Sequence, residues 1–448
     1  MTSIDILIAD INRCIQLPPN QIPLALSKIL SLDPNTNHHR AVSLSQDNPR
    51  PCTGFFNDEF TAFNNVVTLF VRLWCLMNPW SVLESFDLYG QLLNDQAQAF
   101  SNGQRGHLMT ITIKETIDTV LPMATRLDIS LKQRESTPWP RLTYMASVLL
   151  RVFNNIRTND PTDQKKQIIL FIGNRLCLIY NRIGSPLLCR NIYSNMNNLG
   201  LNWKRYLKNE QLQYRYYLAR FYLIKHQLVD SYQHFLWCLV NCPLGFKDLT
   251  NVTSILKYLI PIAIIIGKCP NINYFSQTFY SSPQSIPPFI RTYQAIVQAI
   301  KRANFTEFHQ CLELNYLQLK QSNILLLLAN KCHILISRNL LRKTWLYLGQ
   351  PNKLEFSQIK RAFALSINNS NAGHIGYNTY LTQLDNSGIH NLMTSLIDED
   401  LVRGKIFPML ETVALSRSVV FPKVDFVNFT KFGNGIEGTL NSTDKWMN

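Results

Sequence analysis

Negative charge, paired cysteines and long apolar runs are all scarce in this sequence. Asp and Glu number 29 against 44 Lys and Arg, so the 448-residue chain carries a formal charge of +15. Charged residues make up 16% and hydrophobic ones 46%, which excludes a disordered polyelectrolyte and leaves ample material for a core. At roughly 150 residues per domain, about three structural units are expected. A folded chain this basic meets something acidic: nucleic acid, an anionic membrane or an acidic partner.

The ten cysteines include no CxxC pair. Cys238 and Cys242 come nearest, one helical turn apart on an apolar face, which reads as buried free thiols rather than a zinc site or a disulfide framework. The longest apolar run, Tyr258 to Gly267, is too short to span a bilayer, and the run Ile324 to Ile336 is broken by Asn330 and Lys331. The opening "MTSIDILIADINRC" has Asp5 and Asp10 but no basic n-region, so a soluble intracellular chain without membrane contact is expected. There is no HExxH motif, no nucleophile elbow and no cluster of His with carboxylates at ligand spacing. His38 and His39 fall in an expected polar loop between Asp33 and Cys52. No enzyme, metal or cofactor is expected. "GNGIEG" (Gly433 to Gly438) fits G-x-G-x-x-G but has no βαβ unit and no helix after it, so it reads as flexible tail.

Helical periodicity is abundant. Phe60, Phe63, Val67, Phe70 and Val71 recur at three- and four-residue steps. The same period continues through Ile113 to Leu131, Arg141 to Arg157, and Lys165 to Met196, the last folding at Gly184-Ser185-Pro186. "QYRYYLARFYLIKHQLVDSYQHFLWCLVNCP" (Gln213 to Pro243) could be a base-stacking platform or the inside of a helical hairpin. Tyr214, Leu218, Phe221 and Tyr222 share one face, and Val229, Tyr232, Phe235, Leu236 and Leu239 share another. That spacing predicts core, with Arg215, Arg220 and Lys225 on the outer side. The texture changes after "QPNK" (Gln350 to Lys353). A helix from Leu354, a polar insertion, a helix at Ile389 to Leu401 and two short strands around Pro408 predict a winged helix. The expected fold is all-α: an irregular, TPR-like helical-repeat solenoid capped by a C-terminal winged helix. Its expected parts are a repeat region at 1–160, further helices at 161–350, the winged helix at 351–425 and a flexible tail at 426–448.

Several of these segments resemble the PCI-domain family, named for the proteasome lid, the signalosome and a translation initiation factor. They are the aromatic hairpin, "ILKYLIPIAIIIG", "ISRNLLRKTW" and "LVRGKIFP". "NPWSVLESFDL", "LPMATRLDIS", "LLRVFNNIR" and "NRIGSPLLCRNIY" extend the resemblance to the family's members in TREX-two, the pore-associated mRNA-export complex of fungi. It spans about Asn78 to Pro422. The resemblance implies a scaffold at the nuclear pore periphery that pairs with a GANP-type export scaffold and a small acidic protein shared with the proteasome lid. It also implies contact with RNA or DNA. The alternative within the family is a scaffold associated with the signalosome that binds no nucleic acid. Ala219 stands where the family usually has Gly. Asp398, Glu399 and Asp400 end the expected recognition helix, where they repel phosphate, so that helix is not expected to enter a groove.

Charge distribution supplies the site candidates. The segment Lys301 to Arg361 holds ten Lys or Arg and three Glu. Lys331, Arg338, Arg342 and Lys343 cluster toward the expected winged-helix junction, followed by Lys360 and Arg361, and by Arg403, Lys405 and Arg417 at the wing. Lys charges and Arg forks of this kind hold phosphate backbones with little sequence preference. Solvation of helix faces, contact with an acidic partner or packing of the wing against another subunit account for the same residues.

Overall fold

The computed structural model describes residues 2–78, 80–132, 134, 138–158, 164–243, 249–280, 286–367, 384–433 and 446–447. It divides into two compact units, 1–217 with 443–448, and 218–442. The units therefore part within the helix Lys208–Ile224 rather than near residue 160.

The first unit is a stack in which successive helices pack on one another: Thr61–Leu76, Val82–Phe100, Thr110–Leu131, Pro140–Thr158 and Ile169–Arg182. Phe63, Val67, Phe70 and Val71 are all fully buried, as their helical spacing requires. Ser185 and Pro186 do lie at a break, between Ile169–Arg182 and Cys189–Asn198. The stretch from Asp33 is not the expected loop. Pro34–Leu44 is a helix carrying His38 and His39; Asp33 caps it by accepting from the Asn35 N–H at 3.0 Å. Asn37 then donates to the carbonyls of Lys28, Ile29 and Ser31, satisfying the end of the preceding Ile22–Ile29 helix.

In the aromatic hairpin, Leu218, Phe221, Tyr222, Val229 and Phe235 are buried in the second unit, and Tyr214 is buried in the first. Tyr222 stacks on the His234 ring at 5.5 Å, and Ser231 donates to the Ala219 carbonyl at 2.8 Å. These rings form core, as the spacing predicts. Two details differ: Leu236 is exposed, and Arg215 is buried.

The second unit continues through Thr250–Ile266, Pro288–Arg302, Phe305–Leu314 and Leu325–Tyr347 to a winged helix. Strand β1 (Lys353–Glu355) leads into helix Phe356–Ser366; helix Asn386–Asp398, β2 (Gly404–Phe407) and β3 (Thr412–Leu415) follow. The antiparallel sheet has the order β1-β3-β2, with Leu354 opposite Val413 and Ile406 on the other side of Val413. Most of the expected polar insertion, and 434–438 of "GNGIEG", lie outside the described residues.

Where a flexible tail is expected, the helix Val424–Phe432 packs on Leu228–Asn241 and Thr250–Ile266. Asn428 donates to the Ile266 carbonyl at 2.9 Å, and Phe429 meets Tyr232 edge-on. Gly267 caps the Thr250–Ile266 helix at φ +95°, and a Cβ there would stand 2.5 Å from Val424. Strain and clash act together, so Gly267→Ala is expected to cost about 2–3 kcal/mol, read as a lower thermal midpoint.

Beneath the winged helix, His309 and His333 face each other with Nε2 atoms 3.1 Å apart, against Phe305 and Phe308. Burial and the neighbouring His333 push His309 down to about 4, and burial lowers His333. Both therefore fold neutral. The stability tied to that neutrality is complete above about pH 6.5, where the unfolded imidazoles lose their protons, and falls away as the pH drops toward 4. Between pH 7.5 and 4.5 His309 is expected to account for roughly 2–3 kcal/mol of lost stability. His309→Gln should be less sensitive over that window in paired melts; an equal loss in both proteins counts against this origin.

Candidate nucleic-acid interface

The nine basic residues singled out in the sequence do not form one patch. Arg338, on helix Leu325–Tyr347, is 7% exposed. Its Nη2 donates to the Pro422 carbonyl at 2.6 Å and the Phe421 carbonyl at 3.5 Å, and its Nη1 to Asn339 Oδ1. This arginine ties the segment leaving the wing to the helix, so it is a structural clamp and not a surface phosphate ligand. No carboxylate pairs with it among the described residues. Burial, and then the charge of Arg342, pull it down to about 10, which leaves it cationic at neutral pH.

Arg342, one turn further on, is exposed and lies at the edge of the cleft above Arg338. Lys343 is exposed, but its Nζ donates to the Arg302 carbonyl at 3.0 Å. Lys331 lines a different cavity of about 480 Å³ of mixed character, with Val229, Ile266 and Phe432 but also Asp230, Asn330 and Glu399. Lys360 and Arg361 are exposed on helix Phe356–Ser366. Lys405 is exposed on β2, and Arg417 is exposed just after β3. Arg403 is paired with Asp400 at 3.1 Å.

The cleft holding Arg338 and Arg342 has a volume of about 370 Å³. Lys268, Lys301 and Lys423 join its lining, and Asp425 is the one acid among the lining residues. None of these three lysines was a sequence candidate. They come from three elements, the turn after Thr250–Ile266, the last turn of Pro288–Arg302 and the residue before Val424–Phe432, so no linear motif unites them. Lys268 is held in place by the faces of Tyr232 and Phe429, 5.0 and 4.8 Å from its Nζ. At the base of the cleft, Arg338 Nε has no hydrogen-bond partner among the described residues. Convergent cations with little counter-charge favour an anion, and Lys and Arg together supply point charges and a planar fork.

The helix that would read a groove in a DNA-binding winged helix, Asn386–Asp398, contains no Lys or Arg. Its acidic end is met from within the chain: Lys431 Nζ donates to the Asp398 carbonyl at 2.7 Å and lies 4.0 Å from Glu399. Among the described residues no group of three or more His, Cys, Asp or Glu is placed to hold a metal, and no helix is long and apolar enough to cross a membrane. Cys238 and Cys242 are buried; Cys269, at the cleft, is exposed.

No family model matches the chain. Curated relatives do. It is 27% identical to the nuclear mRNA export protein THP1 of Saccharomyces cerevisiae over 81% of this chain and 83% of that protein. It is 26% identical to a PCI domain-containing protein of Schizosaccharomyces pombe over 75% of this chain and 74% of the relative. A CSN12 homolog of S. pombe is also 26% identical, over 64% of this chain and 63% of its own length. With its stacked helices and terminal winged helix, the chain has the fold of a PCI-domain protein and is similar in sequence to members of that family.

Proposed function

We propose that this chain is a scaffold subunit of a nuclear mRNA-export complex and that its basic cleft holds a nucleic-acid backbone. The convergence of Lys268, Lys301, Arg342 and Lys423 on a cleft with a single lining acid carries the second part. The relative named as a nuclear mRNA export protein, over most of both chains, supports the first. The partners on this reading are a larger GANP-type export scaffold and a small acidic protein. The formal charge of +15 favours the acidic partner, and the exposed Leu314, Leu317 and Leu326 offer apolar surface for contact. The place of action is the nucleus, at the pore periphery. The chain acts by binding and performs no chemical step.

A signalosome-associated scaffold is the second reading, favoured by the likeness to the CSN12 homolog. Affinity purification from the native cell separates the two. Export and pore factors, with an RNA fraction removed by ribonuclease, are the expected companions. Recovery of signalosome subunits without nucleic acid overturns the export reading.

A further inference from the structure

A second binding feature lies in the first unit and takes no part in the basic cleft. Trp446 and Met447 dock on a surface built by helix Cys189–Asn198, the turn Trp203–Arg205 and helix Lys208–Ile224. The Trp446 ring stands edge-on to Trp203 at 5.2 Å and to Tyr214 at 5.4 Å. Tyr193 backs Tyr214 at 5.5 Å. Met447 is 2% exposed, and its carbonyl accepts from Arg215 Nη2 at 3.0 Å. Arg215 is itself fixed, with its guanidinium 5.4 Å over the Trp203 ring.

This combination has the parts of a peptide-recognition site. An aromatic slot takes one large side chain, a closed position takes the next, and a positioned donor grips the main-chain carbonyl of that second residue. The hydrogen bond joins positions 232 apart in sequence, so local chain geometry does not force it. It also explains why Arg215, amphipathically an outer residue, is turned inward. We infer that Tyr193, Trp203, Tyr214 and Arg215 form a docking pocket for a tryptophan followed by an apolar residue, filled in cis by Trp446–Met447. A tethered occupant works at an effective concentration in the millimolar range, so the pocket accepts an outside segment only when the resident one is displaced or removed.

The test uses the full chain carrying Trp446→Ala and a fluorescein-labelled peptide of residues 442–448. Anisotropy should show saturable binding to the variant, at least tenfold weaker binding to the unmodified chain, and none for the same peptide with alanine at 446. If Trp446→Ala lowers the melt too far to handle, Trp446→Leu, which keeps apolar fill, serves as the receptor with the same expected order. No binding to a folded variant overturns the pocket. Equal binding to variant and unmodified chain overturns cis occupancy, as do concentrated dimers of the unmodified chain that the peptide dissociates.

Discussion

Replacing Arg338 with methionine is expected to cost about 3 kcal/mol. The substitution keeps much of the volume but leaves the buried carbonyl of Pro422, and its weaker partner at Phe421, without their donor. A buried acceptor stripped of its partner loses about 1–3 kcal/mol, and more when the donor was charged. For a unit of this size the thermal midpoint should fall by roughly 6–12 °C. The segment after the wing should also exchange its amide hydrogens faster, because the clamp holds that segment to the Leu325–Tyr347 helix. A melt within one degree of the unmodified chain would mean that Arg338 is dispensable for the junction and free to serve elsewhere.

The second large effect concerns binding. Arg342 and Lys423 are both exposed at the cleft, and neither forms an ion pair among the described residues, so reversing their charges tests the cleft with little expected harm to the fold. Arg342→Glu with Lys423→Glu removes about two phosphate contacts. For single-stranded RNA the slope of log affinity on log salt should become shallower by ~1.4. Extrapolated from 1 M to 0.1 M salt, that slope corresponds to about a 25-fold weaker affinity, with repulsion adding to it. Sequence preference should stay flat, because phosphate contacts carry no base information. The melt is expected to stay near that of the unmodified chain, unlike the Arg338 variant. An unchanged salt slope in a folded double variant moves the phosphate site away from this cleft.

The helical architecture was legible because apolar periodicity is a local signal, and Phe63, Val67, Phe70 and Phe235 all fall where their spacing puts them. The winged helix was legible from its two helices and the Pro408 turn; β1 was not, since three residues carry too little pattern. The helix Pro34–Leu44 was hidden by a polar composition suited to a loop, and its Asp33 cap and leading proline were the signals available. The helix Val424–Phe432 was masked by the glycine-rich sequence beyond it. For the site, charge density pointed to the right helix but could not tell a clamp from a ligand. Arg338 and Arg342 are one turn apart in the same run, yet one is buried against carbonyls and the other is exposed. Lys268 and Lys423 were out of reach altogether, because the cleft that unites them exists only after helix Val424–Phe432 has packed against the turn at Gly267.

Photo-crosslinking of 4-thiouridine RNA to the native complex, read by mass spectrometry, tests the central claim most directly. The account predicts cross-linked peptides containing Lys268, Arg342 or Lys423, and their loss in the Arg342→Glu, Lys423→Glu variant. Cross-links confined to the wing residues Lys405 and Arg417, or to another subunit, would contradict it.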